Sequence, residues 1–220
     1  MSFPGFPDEG LVFYEGLEAD NSRTYWRSNR AAYESSVRAP LLALLEELAP
    51  EFGPAKVFRP YRDVRFSRDK TPYKTHQGAV VTPEGRAVGS WYVQLSADGL
   101  RVAGGCWRLE TDQVARYRRA VADPLQGPPL GDEVDRLRNR GWTIGGDRLV
   151  RVPAGFCADD ERLDLLKHKS LHATKGWEPQ DWLHERRALE VVRHCWRDLS
   201  TLNTWLADNV GATTKDARRR

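Results

Sequence analysis

Residues that favour β-strands are concentrated in the middle of the chain, between positions 57 and 152, while helical patterns occupy the segments before and after. The turns between the strands are short, and Asp98-Gly99 between two β-rich runs is a strong hairpin signal. Short connections imply antiparallel pairing, and separate blocks of strands and helices are typical of the α+β class. The sequence therefore predicts an α+β fold: a single domain with a largely antiparallel sheet, on which helices from both chain ends pack.

Apolar residues at helical spacing mark the two ends of the chain. The predicted helices begin at Asp8, run from Ser22 towards Val37 behind a cap at Asp20 or Asn21, and run from Glu185 to Asp208. Residues 3–208 should form the domain. Residues 209–220 contain few apolar groups, so we predict that they form a disordered basic tail.

The central block divides into several predicted strands. These are Val57–Ser67, Gln77–Val81, Ala87–Ser96, Leu100–Trp107 and a short hairpin made of Trp142–Ile144 and Arg148–Val152. Pro60 lacks an N–H group and suits the start or edge of the first of these strands. The glycine pair Gly104-Gly105 lies inside the fourth strand and favours a bulge over a close backbone approach.

The composition limits where this protein can be located and which partners it can bind. The net charge is +3, and Arg218, Arg219 and Arg220 account for all of it, which argues against non-specific nucleic-acid binding. Nucleic acid is possible but not favoured as a partner. Three widely spaced cysteines fit unpaired thiols in a reducing compartment. No secretory signal and no run of membrane-spanning length occurs, so we expect a cytoplasmic protein with no membrane partner.

The segment from Arg59 to His76, which we call the basic loop, carries the densest charge in the chain. Six arginines and lysines lie there against only two aspartates. The turn signal of Asp69–Tyr73 places these charges between two extended segments, and Asp63 can touch Arg65 because alternate residues of an extended chain share a face. Such a loop can direct several donors at one anion, since guanidinium groups match the oxygens of phosphate or carboxylate.

Three functions are compatible with this loop. The first is recognition of a small anion, phosphate or carboxylate, and the expected ligand-binding residues are Arg62, Arg65, Lys70, Tyr73 and Lys74. The second is an enzyme of the phosphoester or acyl-transfer type, with His76 or Asp63 as the acid or base. The third is a scaffold or regulatory module in which the loop charges form a purely structural lattice. The sequence alone does not decide whether the chain is an enzyme.

Common cofactor and nucleophile motifs are missing from the sequence. There is no G-x-x-x-x-G-K-[ST], no G-x-G-x-x-G and no G-x-S-x-G. Asp160, Asp164, His168 and His172 are spaced four apart and would form a metal-binding stripe on an unbroken helix, but they complete no known ligand motif. We therefore expect no metal and no cofactor, and we interpret the stripe as a solvated helix face with His168 paired to Asp164.

The basic loop, RPYRDVRFSRDKTPYKTH, resembles the signature of the DUF2461 family. Other segments fit the same pattern: Asp20-Asn21, Tyr25-Trp26, Gly104–Trp107, Pro153–Phe156 and Leu166–Lys169. Asp20 departs from it, because a second asparagine is expected beside Asn21. The resemblance covers residues 3–208. It implies a fold, and it implies neither an activity nor a cofactor.

Overall fold

A computed structural model describes residues 2–65 and 67–214, and it combines helices with one six-stranded antiparallel sheet. The helices are α1 (Asp8–Ala19), α2 (Arg23–Ala32), α3 (Ala39–Phe52), α4 (Thr111–Ala122), α5 (Gly127–Asn139), α6 (Leu163–Leu166), α7 (Arg187–Asp198) and α8 (Ser200–Val210). A π-helical segment, Tyr33–Arg38, joins α2 to α3, and a 3₁₀ turn, Asp181–His184, precedes α7. The α+β class predicted from the sequence is confirmed.

The strands of the sheet are β1 (Ala55–Val57), β2 (His76–Val81), β3 (Ser90–Ser96), β4 (Gly99–Cys106), β5 (Thr143–Gly145) and β6 (Leu171–Trp177). Their order across the sheet is β1-β2-β3-β4-β6-β5. Ala97 and Asp98 form the turn between β3 and β4, and Gly99 begins β4, so the hairpin lies where the Asp98-Gly99 signal predicts it. The chain divides into two compact units: Met1–Val81, Tyr92–Val102 and Gly176–Cys195 form the first, and Thr82–Trp91, Ala103–Lys175 and Trp196–Arg220 form the second.

The core of the first unit is largely aromatic. Its cluster consists of Phe13, Tyr14, Leu17, Trp26, Tyr33, Val37 and Tyr73. The N-terminal arm is also buried: Phe3 and Phe6 are both fully buried, and their rings meet edge to face at 5.1 Å. The Phe3 amide donates to Glu47 on α3, and Glu47 also accepts hydrogen bonds from Arg186. This network holds the arm against the unit.

A carboxylate organises part of the second unit. Asp198 is almost fully buried and accepts hydrogen bonds from Arg136 Nη1 at 2.6 Å and Trp142 Nε1 at 2.7 Å. Burial by itself raises the pKa of Asp198, but the hydrogen bonds from Arg136 and Trp142, with the charges of Arg136 and Arg140, outweigh it and lower the pKa. The end of α8 and the residues after it are held against α4, because Arg116 on α4 donates hydrogen bonds to the carbonyls of Val210 and Ala212.

The structure corrects the predicted helix boundaries. Ser22 caps α2, since its Oγ accepts from the amide of Tyr25 at 3.1 Å, so neither Asp20 nor Asn21 does so. The C-terminal helix is interrupted at Leu199, between α7 and α8, and it reaches Val210 rather than ending at residue 208. Gly211–Thr214 hydrogen-bond to α4, and residues 215–220 of the predicted tail lie outside the described residues.

Two predictions about strands are wrong in part: the extent of Val57–Ser67, and the pairing of the hairpin whose first strand, Trp142–Ile144, is largely observed as β5. Only Ala55–Val57 of the region around Val57–Ser67 is a strand, because the basic loop bonds largely through its own side chains; Phe66 lies outside the described residues. Residues 142–152 form no hairpin, since β5 pairs with β6, with Thr143 opposite Thr174. Strand β6 (Leu171–Trp177) was not predicted from the sequence. It follows the α6 turn directly, and its partners are distant in the chain.

None of the helices in residues 2–65 and 67–214 combines the length and apolarity that crossing a bilayer requires. The three cysteines all lie in this part of the chain, and no disulfide joins them. Cys106 and Cys195 are buried, and Cys157 is exposed.

Gly105 marks a close backbone approach and not a simple bulge. Its φ is +124°, and a β-carbon there would lie 2.4 Å from the carbonyl oxygen of Leu171 and 2.6 Å from the α-carbon of His172. The backbone of β6 can therefore approach β4 closely only where the side chain is a hydrogen atom.

We predict that Gly105→Ala lowers the free energy of unfolding by about 1–3 kcal/mol or more, because it combines backbone strain with a backbone clash. Gly131→Ala is the matched control: Gly131 lies in α5 with no atom within 4 Å of the added carbon, so we expect a gain of about 0.5–1 kcal/mol. Urea denaturation measures both. Equal stability of the two variants would contradict the close approach.

Candidate functional site

The base of the basic loop is closed by backbone hydrogen bonds. The amide of Arg62 donates to the carbonyl of Pro72 at 2.9 Å, and the amide of Lys74 donates to the carbonyl of Pro60 at 2.8 Å. Between them Tyr61 and Tyr73 form an isolated antiparallel bridge. The two limbs of the loop thus run side by side, although neither qualifies as a strand.

Asn21 anchors the return limb of the loop. Its side-chain amide donates to the carbonyl of Tyr73 at 3.0 Å and its Oδ1 accepts from the amide of Tyr73 at 3.1 Å. The side chain thereby satisfies both backbone groups of one residue, as a neighbouring strand would. The Tyr73 ring stacks on Trp26 with 4.3 Å between centroids and 7° between planes. Helix α2 and the residue before its cap therefore fix this point of the loop.

Gln77 fixes the loop from the sheet side. This side chain is 1% exposed; its Nε2 donates to the carbonyl of Phe58 at 2.7 Å, and its Oε1 accepts from the Tyr33 hydroxyl at 2.6 Å. Burial raises the pKa of Tyr33 to about 12, so the hydroxyl keeps its proton and remains a donor. The π-helical segment, β2 and the start of the loop are connected through this one amide.

The tip of the loop is pinned by its own charges. Arg62 Nη1 donates to Asp69 and, at 2.7 Å, to the hydroxyl of Thr71, while Asp69 Oδ1 accepts from the amide of Thr71 at 2.9 Å. Lys70 Nζ donates to the carbonyl of Val64 at 2.9 Å. These contacts assign a structural role to two of the predicted ligand-binding residues, Arg62 and Lys70.

Arg65 forms the pair with Asp63 that alternation in an extended chain predicts. Its Nε and Nη2 donate to the two carboxylate oxygens at 2.9 and 2.7 Å. Both side chains are exposed, so the pair is not the buried ion pair that a structural lattice would require. The hydrogen bonds from Arg65 lower the pKa of Asp63 to about 2, and Asp63 is therefore a poor proton acceptor at neutral pH.

A polar surface of the sheet lies beside the loop, and we call it the His76 face. By strand alternation it consists of His76 and Gly78 on β2, Tyr92 and Gln94 on β3, and Arg101 on β4. A β-carbon at Gly78 would lie 2.4 Å from the Tyr92 hydroxyl, so the missing side chain makes room for the tyrosine. The Tyr92 hydroxyl donates to Gln94 at 2.7 Å.

Lys74 connects the loop to this face. Its Nζ lies 5.2 Å from the centroid of the Phe58 ring, which lies 6.3 Å from the ring of Tyr92. Burial lowers the pKa of Lys74, with a further contribution from the charge of Arg59. Among the described residues, no carboxylate forms an ion pair with Lys74. The ammonium group therefore rests on an aromatic wall with no opposing charge.

His76 experiences a positive environment. Burial lowers its pKa most, and the charges of Lys74, Arg101 and Arg62 lower it further. The imidazole is consequently neutral at pH 7 and has three cations around it. A neutral imidazole can donate one hydrogen bond and accept another, and a bound anion would favour its protonated form.

The structure separates the predicted site residues into two groups. Lys74 and His76 lie together at the sheet, whereas Arg65, Lys70 and Asp63 are engaged at the loop tip. Tyr73 was expected among the ligand-binding residues, but it is 5% exposed and packs in the aromatic cluster. Sequence reasoning missed the contribution of four residues: Asn21, Phe58, Tyr92 and Arg101. Alternation along β3 and β4 was the available signal for the last two.

The two aspartates and two histidines that are spaced four apart do not share one helix face. Helix α6 contains only four residues, His168 is buried with Nδ1 bonded to the carbonyl of Ser170, and His172 lies on β6. The expected pair of His168 with Asp164 is wrong, because Asp164 pairs with Arg148 at 2.9 Å. In residues 2–65 and 67–214, no group of three or more His, Cys, Asp or Glu side chains could hold a metal ion.

The model of a family described as a conserved hypothetical protein (DUF2461) matches residues 9–205, which is most of the chain. The chain belongs to the DUF2461 family. The matched range includes Asn21, the whole basic loop and the His76 face. No curated protein and no solved structure matches the chain.

We predict that Asn21→Ala lowers the free energy of unfolding by about 1–3 kcal/mol, because it leaves the backbone groups of Tyr73 without partners. Asn21→Asp should also be destabilising, since a carboxylate cannot donate to the Tyr73 carbonyl. Asn139→Ala, at the exposed end of α5, is the matched control and should change stability little.

Urea denaturation gives the stabilities, and amide hydrogen exchange at Tyr73 reports the local effect. Faster exchange at Tyr73 in Asn21→Ala supports the anchor. Unchanged exchange and unchanged stability would show that the DUF2461 loop is held by other contacts.

Proposed function

We propose that this chain binds a small anion, phosphate or carboxylate, at the His76 face beside the basic loop. The observation that carries the proposal is the group of cations around His76: burial lowers its pKa most, and the charges of Lys74, Arg101 and Arg62 each lower it further. An electropositive surface with little internal neutralisation has a favourable interaction with an anion. Lys74 and Arg101 would be the charged donors, and His76 would complete the set.

The residues at the loop tip support binding indirectly. Arg65 and Lys70, which the sequence suggests as donors, hold the tip through Asp63 and the carbonyl of Val64. Arg62 contributes its charge to His76 while it is bonded to Asp69 and Thr71. In this part of the loop the scaffold interpretation and the binding interpretation agree: structural pairs keep the loop in place, and Lys74 at its base faces the ligand.

Binding is better supported than phosphoester or acyl-transfer chemistry. Such a catalyst needs a proton acceptor near the anion, and the low pKa of Asp63 makes it a weak one. His76 remains the acid or base for the enzyme alternative. Among the described residues, no side chain forms a hydrogen bond with His76 that would orient its imidazole. In a catalytic triad an acidic side chain does this.

We also propose a cytoplasmic location, which the spacing of the cysteines and the lack of a disulfide support. Nucleic acid is a less favoured partner, because the positive charge is confined to a small region and the rest of the chain is close to neutral.

We predict that the wild-type chain binds sulfate saturably at pH 7, as measured by isothermal titration calorimetry. Lys74→Gln and Arg101→Gln should each weaken binding about tenfold or more, the loss expected when a charged hydrogen bond is removed. Arg65→Gln should have little effect, because Arg65 is paired with Asp63. Lys56→Gln on β1 has the same change in net charge and is the matched control.

Equal weakening in Lys56→Gln would show that net charge alone attracts sulfate. Loss of binding in Arg65→Gln, with Lys74→Gln unaffected, would move the site to the loop tip. Absence of sulfate and acetate binding to the wild type would reject the proposal.

We predict that sulfate binds more tightly at pH 5.5 than at pH 7.5. The pKa of His76 is lowered in the free protein, and a bound dianion raises it, so the complex takes up a proton. Affinity should rise as pH falls below the pKa of the complex, until the free protein is protonated as well. Sulfate has no ionisation of its own in this range. His76→Gln should remove most of the pH dependence, and a persistent dependence in that variant would contradict the assignment.

A further inference from the structure

A groove of about 470 Å³ lies along α4 in the second unit. Its lining residues are Arg108, Leu109, Thr111, Val114, Ala115, Arg118, Asp147, Leu149 and Lys169. Thr111, Val114, Ala115 and Arg118 follow the three- and four-residue spacing of one helix face. The volume falls in the range of small-molecule sites.

The floor and the rim of the groove differ in chemistry. Leu109, Val114, Ala115 and Leu149 supply aliphatic surface, while three of the remaining lining residues are cations. A ligand that fits both therefore needs an apolar body and a negative group.

Arg118 differs from the other two cations in its burial and its hydrogen bonds. Its Nε donates to the carbonyl of Leu166 at 2.9 Å, but its Nη2 is buried and has no hydrogen-bond partner among the described residues. Burial lowers the pKa of Arg118, and no carboxylate contributes to that pKa. A partly buried guanidinium without a carboxylate partner is an uncommon arrangement, because its lost hydration is not compensated.

The other charges add to this effect. The Lys169 side chain is exposed, and its backbone amide donates to the carbonyl of Asp147, which places the two residues side by side. Arg108 pairs loosely with Glu110 at 3.4 Å. Asp147 is the one carboxylate among the described lining residues, so the charge of the lining is positive.

We propose that this groove is a second binding site, and that it takes an amphipathic monocarboxylate with a short alkyl or aryl body. The carboxylate interacts with Arg118 and Lys169, and the body lies on the aliphatic floor. Asp147 weakens binding by repulsion and limits the site to ligands with one negative charge. This site is independent of the His76 face, which has aromatic walls and no aliphatic floor of this kind.

The test is titration of the full chain with sodium octanoate at pH 7.5, below its micelle concentration, by isothermal titration calorimetry. We expect saturable binding of octanoate, at least tenfold tighter than binding of 1-octanol, which lacks the charge. Acetate, which lacks the apolar body, should bind to the groove roughly a hundredfold more weakly or worse. This comparison is made in Lys74→Gln, in which binding of a carboxylate to the His76 face is weakened.

Two variants that change the charge of the groove in opposite directions should change octanoate affinity in opposite directions. Lys169→Gln should weaken octanoate binding severalfold, and Asp147→Asn should strengthen it severalfold. Arg119→Gln and Asp159→Asn are the matched controls, since both residues are exposed and neither lines the groove. Arg118→Gln should abolish binding, and circular dichroism verifies that it is folded. If it does not fold, Lys169→Gln and Asp147→Asn decide the matter.

The proposal is overturned if octanoate does not bind, if 1-octanol binds equally well, or if the two groove variants behave like their controls. A further arm separates the two sites. Lys74→Gln and Arg101→Gln should leave octanoate binding unchanged, and loss of octanoate binding in them would assign the carboxylate to the His76 face instead.

Discussion

The two hydrogen bonds between the Asn21 side chain and the backbone of Tyr73 hold the basic loop in register with the sheet. Tyr73 has no continuous strand beside it, so the amide of Asn21 replaces the partner that a sheet would provide. The stack on Trp26 adds apolar contact at the same point. Three residues later the chain enters β2, whose pairing with β1 places Val57 opposite Ala79. Lys74 and His76 lie between these two fixed points, which is why their positions are defined although the loop is long.

The charges of the loop act in two different ways. Exposed pairs such as Arg65 with Asp63 contribute little to stability individually, but several of them together limit the conformations of a loop that has no apolar core of its own. The cations near His76 repel one another, and the folded state bears that cost. The anion that we propose for this face would relieve the repulsion and add hydrogen bonds, and binding to the folded state would stabilise it.

The sequence predicts what depends on short-range order. Helical spacing identifies α1 and α2, Asp98-Gly99 identifies the hairpin, and alternation identifies the contact of Asp63 with Arg65. Prediction from the sequence fails where contacts between distant segments determine the structure. Asn21 and Ser22 are both good caps, and only the position of Tyr73, fifty-two residues away, shows that Asn21 has another partner. Strand β6 was missed because its short polar sequence becomes a strand only between β4 and β5.

Only some of the residues that meet at the His76 face could be identified from the sequence, for the same physical reason. Lys74 and His76 are close in sequence to the charged loop, whereas Arg101 reaches the same face from a strand far along the chain. The groove on α4 carries no sequence motif, since its cations come from three separate segments. Both candidate sites share one feature: a cation lies on or near a rigid strand or helix and has few carboxylates around it. Counting charges along the sequence finds pairs and lattices equally well, and only the distances between side chains distinguish a neutralised arginine from one that can bind an anion.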